Sequence, residues 1–95
     1  MDMKLIRNPT TAQGTIIFRF DTAGYEFLVK NFTDGDVYAS LREGATKENS
    51  VLIPAGCAQV LLINIHTSND SGSSAVQIIA DTASDKGVEV QCIRY

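Results

Sequence analysis

The residues able to do chemistry are few and lie far apart along the chain. His66 is the only histidine. It follows an apolar run with no cysteine or serine nucleophile beside it, and a general base needs such a partner within hydrogen-bond reach. It reads as a surface residue at a strand end. Asp34 and Asp36 flank Gly35, with Asn31 just before. Oxygens at alternate positions suit Ca²⁺, but that ion takes six or more of them, and this stretch has too few. The carboxylates available for paired acid–base work are Asp21, Glu26, Asp34, Asp36, Glu43 and Glu48. All fall in turns or on polar strand faces, where solvation leaves a carboxyl group untuned. Cys57 and Cys92 have no CxxC spacing and no histidine cluster that would imply a metal, and they read as two buried thiols rather than a disulfide. Asn31-Phe32-Thr33 fits the glycosylation acceptor pattern, without the signal peptide that would give it meaning. Tyr25, Tyr38 and Tyr95 provide rings on which a sugar would stack. These residues define no catalytic, cofactor-binding or metal site, and no cofactor is expected.

Composition narrows the classes further. A chain of 95 residues that is 44% hydrophobic and 20% charged is one folded domain with a thin core. Net charge is -3, and the eight Lys and Arg residues are scattered singly. With no basic stripe, nucleic acid is not an expected partner. No apolar run is long enough to cross a bilayer, so neither is a membrane.

The stretch that organises the chain is Val51-Leu52-Ile53, a Pro54-Ala55-Gly56 corner, and a strand from Ala58 to Ile65. Between Val60 and Ile65 only Asn64 is polar, the pattern of a strand covered on both faces. Val60, Leu62 and Asn64 share one face, with Leu62 expected in the core; Leu61, Ile63 and Ile65 share the other. Further β-rich segments are Met3–Arg7, Thr15–Phe20, Tyr25–Asn31, Val37–Arg42, Ala75–Ala80 and Val88–Tyr95. Asn8 to Gly14, Asp21 to Gly24, Glu43 to Ser50, His66 to Ser74 and Asp81 to Gly87 read as turns or loops. Asp34-Gly35, between two alternating runs, predicts a tight hairpin. The whole predicts an all-β, antiparallel β-sandwich of seven or eight short strands with jelly-roll or Greek-key-like connections. Residues 1–14 form an N-terminal strand or arm, and 15–95 the single sandwich domain.

That strand has more apolar side chains than one sheet face uses, and Ile17, Leu28, Ile79 and Ile93 also oppose their strands' inward sets. Leu61, Ile63, Ile65, Ile17 and Ile79 are therefore the candidate interface of a homo-oligomer. The alternative is that the arm or a loop of the same chain covers them.

The run Asn31-Phe32-Thr33-Asp34-Gly35-Asp36-Val37-Tyr38, then a polar loop and Val51-Leu52-Ile53-Pro54-Ala55-Gly56, resembles small β-sandwich proteins encoded in bacteriophage and prophage structural gene clusters. In that group a K-N-x-x-D-G-D-x-Y hairpin precedes an I-P-A-G corner. The resemblance implies a non-enzymatic virion component, such as a capsid decoration, head fibre or tail-associated protein, with other virion proteins as partners. It implies a place in the virion or the host cytoplasm, in keeping with an N-terminus that lacks signal-peptide features. A carbohydrate-binding module is the competing reading.

Overall fold

The computed structural model describes residues 5–63 and 72–94. Eight strands are present among them: β1 (Leu5–Thr10), β2 (Gly14–Gly24), β3 (Glu26–Asn31), β4 (Val37–Ser40), β5 (Val51–Ile53), β6 (Ala58–Leu62), β7 (Ser73–Ala80) and β8 (Ser84–Arg94). A 3-10 turn, Lys47–Asn49, interrupts the β4–β5 loop. The strands pair antiparallel as β1 with β8, β2 with β7, β3 with β6 and β4 with β5. That is one long two-stranded ribbon whose tip is the β4–β5 loop. Folding the ribbon over on itself adds the pairs β3–β8 and β4–β7. The result is two four-stranded sheets, β1-β8-β3-β6 (the first sheet) and β2-β7-β4-β5 (the second). The all-β sandwich expected from the sequence is what forms, and the ribbon wrapping makes it a jelly roll.

The core lies between the sheets. Phe18, Phe27, Ile53 and Ile78, with Val29, Val37, Val76, Val88 and Val90, are fully buried. The Phe20 and Phe27 rings meet with centroids 5.5 Å apart. Each of these side chains occupies the inward position of its strand's two-residue alternation, as in any two-sheet sandwich.

The ribbon's fold lines explain where the sequence expectations fail. Asp34-Gly35 does not close a hairpin, because β3 and β4 lie in different sheets and an arch joins them. Gly35 is not among the positive-φ residues. It is small because an added Cβ would come within 2.8 Å of Thr82 Cγ2. The Pro54 corner also crosses between sheets, as a turn in which the Cys57 N–H donates to Pro54 O at 3.0 Å and Gly56 has φ 76°. Asp21 to Gly24 is strand rather than turn, and β2 passes into β3 through Tyr25 alone. Gly24 permits this, since a Cβ there would overlap Cys92 Sγ. β1 runs through Asn8-Pro9, where a break was expected. It is an edge strand, and its register shifts between Asn8 and Thr10, which is where a sheet tolerates proline. Ser73 and Ser74 belong to β7 rather than to the preceding loop. Cys57 is exposed at its corner, not buried, and Cys92 is buried; no disulfide joins them.

β8 begins at Ser84, inside the expected Asp81–Gly87 turn, and carries Gly87 at φ 63° against β1. A Cβ on Gly87 would overlap the Asn8 carbonyl oxygen. Gly87→Ala is expected to lower the urea midpoint by the equivalent of more than about 2 kcal/mol, the positive φ and the overlap adding together. An unchanged midpoint would show that the edge pairing contributes nothing to stability.

Candidate assembly surface

The outer faces of the two sheets differ. On the second sheet, Gln77 points outward yet is only 3% exposed, because the β4–β5 loop lies over it. Its side chain accepts from the Gly44 N–H at 2.7 Å and donates to Ala45 O at 2.8 Å. Lys47 of the same loop sits 5.0 Å from the Tyr38 ring centre and pairs with Asp81 at 2.9 Å. Tyr38 donates to the other Asp81 oxygen at 3.2 Å, and Lys47 also donates to Gln13 Oε1 at 2.7 Å. The hydrogen bond from Lys47 holds Asp81 below the usual carboxylate range, and Asp81 in turn holds the Lys47 ammonium above its ordinary value. Desolvation, then the Asp81 charge, raises the Tyr38 phenol. Farther along, Arg19 forms a two-point pair with Glu43. The chain thus straps a loop over this face. Ile17 and Ile79, both half-buried, lie on it as diagonal neighbours, Ile17 opposite Gln77 and Ile79 opposite Thr15.

The first sheet has no such strap among the described residues, and its outer face is built in rungs that the strand register fixes. One rung runs Arg7, Glu89, Lys30, Ala58. The next runs Leu5, Gln91, Leu28, Val60. Glu26 and Leu62 pair at the far end, beside Ile93 at a bulge. The second and third rungs carry an apolar stripe: Leu5, Val60, Leu62 and Ile93 are exposed, Leu62 most of all at 63%, and Leu28 is half-buried between them. Scattered exposed apolar residues need no explanation; here four of them gather at one end of a single face, with Gln91 between Leu5 and Leu28.

The polar rung is ordered by Glu89, whose carboxylate is nearly buried on this outward face. Arg7 grips it at 2.8 Å through Nη2, and Lys30 approaches its second oxygen at 3.4 Å. The hydrogen bonds from Arg7, ahead of those from Lys30, hold Glu89 below its ordinary pKa of 4.5. A carboxyl lowered on folding stabilises above its unfolded pKa, and that contribution is lost as pH falls through the lowered value. Glu89→Gln is therefore expected to reduce stability near pH 7, with the gap from wild type closing on acidification to about pH 3; chemical denaturation at both pH values checks this. A gap independent of pH would mean that Glu89 acts through packing alone.

The structure separates the residues expected to form one interface. Leu61 is 6% exposed and belongs to the core, opposite Phe27, whereas Val60 and Leu62 face outward. β6 is an edge strand rather than one covered on both faces. Ile63 follows β6 and is half-buried, and Ile65 lies outside the described residues. Leu61, Ile17 and Ile79 thus do not share a surface: the first is in the core and the other two are on the strapped face of the other sheet. The exposure of Leu62, Val60 and Leu5 was not expected from the sequence. The signal was there in Leu28 and Ile93, already assigned to outward positions, with which the stripe is continuous.

The remaining chemistry candidates do not converge. Tyr25 sits at the start of β3 and Tyr38 beyond the arch that follows it, so they are at opposite ends of the fold, and the Tyr38 ring is already covered by Lys47. Tyr95 and His66 lie outside the described residues. Asn31 is 1% exposed and fully engaged, so it is no glycosylation acceptor in the fold. Among the described residues no three His, Cys, Asp or Glu side chains cluster as a metal site would require. One surface depression, of 740 Å³, has Arg42 as the one ionisable side chain in its described lining. No helix among the described residues is long and apolar enough to cross a membrane. Comparison with protein-family models, curated proteins and solved structures found no match to this chain.

Proposed function

We propose that this protein is a non-enzymatic structural module that assembles with copies of itself through the outer face of the first sheet, as a bacteriophage virion component of the capsid-decoration, head-fibre or tail-associated kind. The observation that carries the reading is the contrast between the two faces: one strapped by its own loop, with Leu52 exposed at its β5 edge, the other presenting an apolar stripe that no described residue straps. The jelly roll supports it, being an architecture of capsid and lectin domains, although a fold alone assigns no function. Two tests apply. Light scattering of purified protein is expected to give a mass above one subunit. Neighbouring capsid, portal or tail genes are the expected genomic setting; a metabolic operon would count against the virion role. Tyr25 and Tyr38 lie apart and, with the Tyr38 ring under Lys47, form no shared ring platform for a sugar. Glycan binding that depends on Tyr38 is therefore not expected.

A further inference from the structure

We infer that the surface's partner is a second copy, stacked face to face about a two-fold axis that passes under Leu28 at right angles to the strands. The inference rests on the assembly reading above and adds its geometry. On β3 the outward residues are Glu26, Leu28 and Lys30, and on the neighbouring edge strand β6 they are Leu62, Val60 and Ala58, paired with them in that order. An axis of this kind keeps each strand over its own copy and reverses its direction. Glu26 then faces the second copy's Lys30, and Leu28 faces Leu28. The large, exposed Leu62 meets the small Ala58 of the other copy, while Val60 meets Val60. The pattern is self-complementary in charge on β3 and in size on β6, as an isologous interface demands. Leu5, on the same rung as Leu28, also falls over its own copy. A two-fold axis parallel to the strands would reverse strand order instead. Run through Leu28, it would leave Leu28 over Leu28 but set Glu26 over Glu26 and Lys30 over Lys30, and it would part Leu62 from Ala58. Lys30 retains 39% side-chain exposure beyond its contact with Glu89, so its ammonium remains available to a partner carboxylate.

Stacked sheets lie about 10 Å apart, beyond direct disulfide reach, so a short bismaleimide is the probe. All variants are made with Cys57→Ser to remove the exposed native thiol. Leu28→Cys is expected to crosslink to itself in high yield. Leu62→Cys and Ala58→Cys are expected to crosslink poorly alone and well when mixed. Glu26→Lys, which sets like charges together twice per dimer, is expected to weaken association about tenfold. An oligomer in which Leu28→Cys fails to crosslink and the mixed pair shows no advantage overturns the proposed axis while leaving assembly standing. Wild-type protein that runs as a monomer overturns both.

Discussion

Leu61→Asp is expected to abolish folding, and Leu62→Asp, one residue on, to give a folded subunit that no longer assembles. Leu61 lies opposite Phe27 in the core at 6% exposure, so its replacement places a carboxylate among Phe, Val and Ile side chains, with no cation in that cluster of described residues. An unpaired buried charge costs several kcal/mol. A small domain has roughly 5–15 kcal/mol in all, and a 95-residue sandwich belongs toward the lower end. Leu62 is 63% exposed in the single subunit, so an aspartate there stays hydrated and the monomer loses little. In the assembly the same carboxylate would sit in an apolar contact and lose its water. Circular dichroism with sedimentation velocity reads both outcomes at once. A folded Leu61→Asp, or an unfolded Leu62→Asp, would invert the β6 faces described above.

Asn31→Ala is expected to cost about 3–5 kcal/mol, enough to leave the domain marginal, because several buried partners lose their bonds together. The Asn31 side-chain amide donates to Gly35 O at 2.8 Å and to Ile53 O at 2.9 Å. Its oxygen accepts from the Thr33 N–H at 2.9 Å and the Thr33 hydroxyl at 2.7 Å. Its backbone joins the Pro54 corner, donating to Cys57 O and accepting from the Gly56 N–H, both at 2.9 Å. One buried residue therefore pins the β3–β4 arch to the β5–β6 corner, the two crossings nearest the tip of the ribbon. Asn31→Asp is the sharper variant: it replaces a donor with a carboxylate oxygen aimed at two carbonyls. It is expected to be less stable than Asn31→Ala at neutral pH and to recover on acidification as the carboxyl protonates, the reverse of the wild-type trend set by Glu89. Urea titrations at two pH values check this. A loss below about 1 kcal/mol for the alanine variant would mean that the arch and corner hold without the amide.

Much of the fold was legible, and the failures share a cause. In strands with clean alternation the inward residues can be read from the pattern alone: Phe27 and Val29, Val37 and Ala39, Val76 and Ile78, Val88 and Val90 are all buried. Alternation is a local signal set by the pleat, so it survives whatever the sheet order turns out to be. β6 had none to offer. Val60-Leu61-Leu62-Ile63 is apolar throughout, so its two faces could be told apart only by its neighbour, and Phe27 opposite Leu61 settles the matter. The Asp34-Gly35 signal failed because turn chemistry records the local chain direction, not which sheet the next strand joins. Its glycine answers to Thr82 across the fold, a contact that no window of sequence contains. The strap over the second sheet was hidden for a similar reason, since Gln77 binds a loop more than thirty positions away. An excess of apolar residues was visible from the sequence, but assigning it to the outer face of the first sheet required the register of four strands.

Sedimentation equilibrium of the wild-type chain at high micromolar concentration, beside Leu62→Asp, tests the central claim most directly. The open stripe predicts a wild-type mass of at least two subunits and a Leu62→Asp mass of one, with the same β-sheet spectrum for both. Wild-type protein that stays a single subunit at that concentration would contradict it.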